Sequence, residues 1–167
     1  MISSFAVVAP APWTVVTITF ADAEIVRIGK NYVKWKSWRT TAPYEGVIPM
    51  LKELKKRGKN IAVVSNKFYA ATQELCRHFF GKYVAVAIGE RENIRKKPPP
   101  DTVEEALRQL GASRDGAVYI GDSDVDIETA RNCNMPCISV LWGFRSRDFL
   151  IEHGAQRLVE TPEEILL

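Results

Sequence analysis

Histidine and cysteine are scarce in this chain: two of the first and three of the second among 167 residues. His78 and His153 stand alone. Cys133 and Cys137 sit four apart, but no second pair completes a zinc ligand set, so core or surface filler is the better reading of all five. An odd, sparse cysteine count suits a reducing compartment, and a cytoplasmic location is expected. Long apolar runs are also missing. Residues 1–12 are apolar but lack a basic leading region and are too short to span a bilayer. Neither a secretory signal nor a membrane association is expected. Charge of one sign is not in excess: the net charge is +3 and the isoelectric point about 8.8. That balance is too weak to point to nucleic acid and is compatible with a small anionic substrate. No internal repeat or long linker interrupts the sequence, so one domain with a real core is expected.

What is present is a carboxylate cluster after an apolar run. In Ala117-Val118-Tyr119-Ile120-Gly121-Asp122-Ser123-Asp124-Val125-Asp126, a short buried strand meets a glycine, and three aspartates follow. Residues 125–132 have helical character. Asp122 and Asp126 are four apart, so a turn leading into a helix can aim both above the strand's end. Oxygen ligands gathered in this way suit Mg²⁺, which takes one or two carboxylates with water and a phosphate oxygen. A helix cap at Asp122 or Ser123 is the plainer alternative.

Strands are expected at 13–20, 60–64, 83–88, 117–120, 136–141 and 156–159. Helices are expected at 21–38, 47–57, from Ser65 to about residue 80, and at 101–110, 125–132, 144–152 and 162–166. Residues 21–38 place Ile25, Ile28, Tyr32 and Trp35 on one helical face. Lys34, Lys36 and Arg39 among them read as a snorkelling amphipathic helix rather than a nucleic-acid surface. Thr102 and Glu105 form a capping-box pattern, and Gly111 a stop. Alternating strands and helices define an α/β fold: a Rossmann-like, doubly wound, mostly parallel sheet.

In such folds ligands lie beyond the carboxyl ends of the strands, which brings Ser65 and Asp122 to one rim. Ser65 follows its strand directly. Its hydroxyl, with the N–H groups of Asn66 and Lys67 at a helix N-terminus, can hold an anionic oxygen or can simply cap the helix. Lys97 opens Lys97-Pro98-Pro99-Pro100, where the prolines make it a fixed charge able to offset a phosphoryl group. A stiff solvated basic loop with Arg95 and Lys96 is the alternative.

The ordered set Ser65-Asn66-Lys67, Lys97-Pro98-Pro99-Pro100 and Gly121-Asp122-Ser123-Asp124-Val125-Asp126 resembles the haloacid dehalogenase superfamily of phosphohydrolases. Pro43-Tyr44-Glu45-Gly46, Trp142-Gly143-Phe144-Arg145-Ser146, Gly154-Ala155 and Pro162 are similar to its phosphoglycolate phosphatase-like branch. The likeness covers residues 43–167, which would form the core domain, with 1–42 as an atypical amino-terminal segment. It implies that Ser65 and Asn66 bind phosphoryl oxygens and that Lys97 steadies both nucleophile and phosphoryl charge. It further implies that Asp122 ligates Mg²⁺ and that Asp126 holds the metal or its waters. Asp124 matches no essential position and reads as surface. A small phosphate monoester, with 2-phosphoglycolate foremost, is the implied substrate.

The family's nucleophile pattern, Asp-x-Asp-Gly-Thr after the first strand, is absent from the sequence. Superposing residues 20–24 puts Phe20 at the attacking position, where a phenyl ring cannot form an acyl-phosphate, and leaves Asp22 as the acid/base candidate. The cap usual in the branch is missing or reduced to a helical remnant near 24–38. Impaired or absent turnover is therefore expected. The competing accounts are an incomplete gene product, a capless pseudoenzyme, or a substitute acid at Asp22 or Glu24. The alternative function is a non-catalytic module that binds Mg²⁺ and phosphate or a protein partner. Homo-oligomerisation through Tyr32, Trp35 and Trp38 is compatible with the sequence. The family's first strand lies mid-sheet, so residues 13–20, or a partner, should fill that slot.

Overall fold

The computed structural model describes residues 4–7, 25–28, 31–35 and 42–167. Its elements, in chain order, begin with strands β1 (Ser4–Val7), β2 (Ile25–Ile28) and β3 (Asn31–Trp35). Helix α1 (Val47–Lys56), strand β4 (Ala62–Phe68), helix α2 (Tyr69–Phe80) and strand β5 (Val86–Glu90) follow. Then come helix α3 (Asp101–Leu110), strand β6 (Tyr119–Gly121), helix α4 (Asp124–Asn132) and strand β7 (Cys137–Val140). Helix α5 (Arg147–Glu152), strand β8 (Arg157–Val159) and a 3₁₀ helix at Pro162–Leu166 complete the described chain.

The apolar runs become the interior strands of one sheet, ordered β5-β4-β1-β6-β7-β8. β4 pairs with β5, β6 with β7 and β7 with β8, all in parallel. Helices α2 and α3 pack against β4 and β5, and α4 against β6 and β7. The α/β, mostly parallel architecture expected from alternation is the one observed. In α1, Val47, Met50, Leu51 and Leu54 follow helical spacing and are all buried. Each such side chain contributes about 1.5–3 kcal/mol on leaving water. Tyr119, Phe80, Met50, Ile61, Ile88 and Ile120 are the largest fully enclosed groups around the sheet.

Several local expectations are corrected. The slot between β4 and β6 holds β1, which runs antiparallel to both, with Ser4 opposite Ser65 and Val7 opposite Ala62. The strand expected at 13–20, and with it Asp22 and Glu24, lies outside the described residues. In place of a helix over 21–38, β2 and β3 pair as an antiparallel hairpin, with Ile25 opposite Trp35 and Ile28 opposite Asn31. Strand β4 runs on through Ser65, Asn66 and Lys67, so α2 starts only at Tyr69 and no helix N-terminus lies at Ser65. The Thr102–Glu105 box does not form: Pro100 precedes the first turn, and Thr102 is buried. A capping box closes instead between Thr161 and Glu164. Gly111 terminates α3 in the left-handed region, as its sequence position suggests.

Candidate active site

Ser65 sits midway along β4, three residues before its carboxyl end, fully buried, and its Oγ accepts from the Lys67 N–H at 3.0 Å. The adjacent Asn66 is tied to the loop that carries Lys97. Its amide grips the backbone of Lys97 at two points: Oδ1 accepts from the Lys97 N–H at 2.7 Å, and Nδ2 donates to the Lys97 carbonyl at 3.2 Å. Asn132 Nδ2 holds the next residue by donating to the Pro98 carbonyl at 3.0 Å. β4 and α4 thus clamp the proline loop from two sides and fix where the lysine emerges.

The Lys97 ammonium donates to Asp126 Oδ1 at 2.8 Å, with both side chains wholly enclosed. Tyr119 Oη donates to the same oxygen at 3.0 Å, and Ser123 Oγ donates to Asp126 Oδ2. Asp126 therefore has both oxygens taken by protein donors. Its observed contacts are those of an anchor for Lys97. Burial pushes the Asp126 carboxyl up and the Lys97 ammonium down. Their mutual attraction opposes both shifts, so the pair persists because each charge answers the other. Tyr119 is pushed well above its usual range by burial and by Asp126, which keeps its phenol a donor.

Asp122, also fully buried, stands at the end of β6, close enough to Lys97 to favour its charged form. Its Oδ2 accepts from the Phe144 N–H at 2.8 Å. Gly143 makes that contact feasible, since any Cβ there would overlap the Asp122 side chain. Gly121 does the same for Asp126. Asp124 is not idle surface: it pairs with Arg145 at 3.1 Å. The Arg145 guanidinium lies over the rings of Phe144 and Phe149 at 4.5 and 4.2 Å. This pairing braces the loop that brings the Phe144 N–H to Asp122.

Among the described residues no group of three acidic, histidine or cysteine side chains gathers for a metal. Mg²⁺ does not require one, because a carboxylate, waters and a substrate phosphate suffice. Asp122, with one oxygen held by the Phe144 N–H, has the donor chemistry for that role. Sequence reasoning brought Ser65, Lys97, Asp122 and Asp126 to one region, and chain-linked contacts join all four. It quoted Tyr119, Gly143 and Phe144 within their motifs but gave none of them a role at the site. A tyrosine in an apolar strand reads as core, and a backbone donor leaves no mark in sequence.

The side chain of Lys67 was also missed. It is 5% exposed, and its ammonium has no hydrogen-bond partner among the described residues. Burial alone pushes it from 10.5 down to about 7. The unfolded chain then binds more protons than the folded one above pH 7, so stability rises with pH. Above about pH 9 the thiols of the buried Cys76 and Cys133 and the half-buried Cys137, all pushed up by desolvation, act in the opposite sense. Urea denaturation at pH 7 and pH 9 should show a gain of about 2–3 kcal/mol in the wild-type chain, and Lys67→Met should remove it. Equal slopes in both proteins would show that the Lys67 ammonium is solvated or paired.

The sequence profile of the haloacid dehalogenase-like hydrolases matches residues 15–140, so the chain belongs to that family. It is 36% identical to a phosphoglycolate phosphatase of Rhodobacter capsulatus over 103 residues, 61% of this chain and 46% of that protein. A phosphoglycolate phosphatase of Xanthomonas campestris pv. campestris (strain 8004) is 33% identical over 73% of this chain and 56% of its own length. A pyrophosphatase PpaX of Halalkalibacterium halodurans is 27% identical over 74% of the chain and 58% of its own length. Among solved structures, a candidate phosphoglycolate phosphatase from Lactobacillus delbrueckii subsp. bulgaricus superposes with a TM-score of 0.75 at 45% identity, covering 77% of this chain and 54% of that one. CbbY from Rhodobacter sphaeroides, solved with xylulose-(1,5)bisphosphate, superposes with a TM-score of 0.62 at 29% identity over 74% of this chain and 56% of its own. The chain spans about half the length of the curated relatives it matches. No helix among the described residues is long and apolar enough to cross a membrane.

Proposed function

We propose that residues 43–167 form a phosphoryl-binding core that holds a small phosphate monoester with Mg²⁺ at the rim of the sheet. The carrying observation is the Lys97 ammonium, enclosed with Asp126 at 2.8 Å while its backbone is clamped to Asn66 beside Ser65. A cation fixed at both ends of its side chain offers charge in one place, which is what phosphoryl stabilisation requires. Ser65 would donate to a phosphoryl oxygen. Asn66 serves by holding Lys97, and Asp126 by orienting its ammonium. Asp122 would hold Mg²⁺, with the Phe144 N–H fixing its other oxygen; the ion would supply charge to offset the phosphate. The ligands named for three relatives (phosphoglycolate, pyrophosphate and xylulose-(1,5)bisphosphate) each carry two anionic groups. Such a dianionic compound is the favoured substrate class, with 2-phosphoglycolate foremost, in a cytoplasmic setting.

The sequence has no Asp-x-Asp-Gly-Thr, so binding without the family's acyl-phosphate turnover is the expected behaviour. Calorimetric titration of the purified chain with inorganic phosphate in the presence of Mg²⁺ should give saturable binding. Asp122→Asn should weaken the Mg²⁺-dependent part at least about tenfold while the protein stays folded. Parallel assays with para-nitrophenyl phosphate and 2-phosphoglycolate separate the module from the enzyme. Turnover abolished by Asp122→Asn and Lys97→Ala would make the chain a working phosphatase. Absence of any phosphate binding would defeat the proposal.

A further inference from the structure

Each described cation on the 91–97 loop has a named acidic partner. Arg91 pairs with Glu105, Arg95 with Asp101, Lys96 with Glu90, and Lys97 with Asp126. Lys67 stands out beside them. It is the second residue after Ser65, is 5% exposed, and its Nζ has neither an acidic nor a hydrogen-bond partner among the described residues. A buried ammonium without a counter-charge is costly to keep, and an arriving anion removes that cost.

Its backbone is held firmly. The N–H donates to Ser65 Oγ at 3.0 Å. The carbonyl passes so close to β5 that only Gly89 leaves room for it. Thr72 Oγ1 donates to the neighbouring Phe68 carbonyl at 3.2 Å. A lysine stem reaches about 6 Å from its Cα, so Nζ lies within about 10 Å of Ser65 Oγ. That reach bounds how far from a phosphate held at Ser65 and Lys97 a second charged group could sit and still meet Lys67.

We propose that Lys67 is the specificity residue for that second anionic group, whether carboxylate or phosphate. Lys97 serves the phosphoryl end with Asp126 attached to it, and Lys67 serves the far end with no acidic partner among the described residues. This inference rests on the phosphoryl-binding reading given above. A ligand with a single anionic group leaves Lys67 uncompensated, whereas one with two satisfies it.

Calorimetric titration in the presence of Mg²⁺ would compare inorganic phosphate, ethyl phosphate, 2-phosphoglycolate and pyrophosphate, and needs no turnover. The wild-type chain should bind at least one of the last two at least about tenfold more tightly than ethyl phosphate. Lys67→Met and Lys67→Gln should abolish that preference while changing the affinity for inorganic phosphate less than about threefold, and Lys67→Arg should keep it. The better of the two probes identifies the second group as carboxylate or phosphate. A preference that survives in Lys67→Gln overturns the inference, and so does an equal loss for all four probes, which would put Lys67 in the phosphoryl pocket itself. A wild-type chain that binds phosphate without preferring either dianion overturns it too, while leaving the phosphoryl-binding reading intact. A wild-type chain that binds none of the four overturns both.

Discussion

Lys97→Met is expected to destabilise the chain by about 3–5 kcal/mol, because it leaves the Asp126 carboxylate buried and unanswered. Ser123 and Tyr119 still donate to Asp126, so the loss falls short of the full cost of burying a bare charge. The variant should also show a distinctive response to pH. Without Lys97, the folded-state pKa of Asp126, already raised by burial, rises further above its unfolded value. A carboxyl raised in this way binds its proton more tightly when folded, so stability falls as pH climbs through and above the ordinary carboxylate range. Lys97→Met should therefore be more stable at pH 5 than at pH 7. Adding Asp126→Leu should recover much of the loss by removing the stranded charge. Urea denaturation of the two variants at both pH values tests this. A single variant with wild-type stability at pH 7 would mean that the pair is solvated.

Gly143→Ala is the second large expectation, and here the effect is steric. The new methyl group would occupy space held by the Asp122 side chain, so either that carboxylate or the loop carrying Phe144 must move. Both outcomes break the 2.8 Å bond from the Phe144 N–H to Asp122 Oδ2. A cost of about 1–3 kcal/mol in stability is expected, with Mg²⁺-dependent phosphate binding lowered about a hundredfold. Gly58→Ala is the control. Gly58 has a positive φ of 74° but open space around it, so its alanine variant strains the backbone without touching the site. Matching binding curves for the wild type and Gly143→Ala would show that the loop yields without disturbing Asp122.

The sheet was legible because its strands are short apolar runs, as at Ile61-Ala62-Val63-Val64 and Tyr119-Ile120, and because α1 and α3 carry clear helical spacing. The hairpin of β2 and β3 was not. Ile25, Ile28, Tyr32 and Trp35 suit a helix by spacing alone, but Ile25-Val26 and Tyr32-Val33 carry β-forming side chains on either side of Gly29-Lys30. Two residues with glycine first are a hairpin connection, and that signal outweighs an apparent period. The start of α2 was misplaced for a related reason: Ser65 looks like a cap, yet its hydroxyl accepts from an N–H within extended chain. At the site, the motif residues stood out through their order along the chain, which resembles the family's, since each alone reads as a cap or a surface group. Their division of labour was not readable. Nothing in the spacing of Asp122 and Asp126 says that one is held by a backbone N–H while the other is engaged by Lys97, Tyr119 and Ser123.

Strand β1 carries a consequence for any attempt to install an attacking group. Its neighbours β4 and β6 both finish at the cleft, whereas β1 is oriented the opposite way, with Ser4 level with Ser65 and Val7 deeper, at Ala62. The cleft therefore meets the leading end of this central strand, where a co-directional one would present its trailing end. Design of a nucleophile on that strand would have to work upstream from Ser4, against the polarity that every flanking strand obeys.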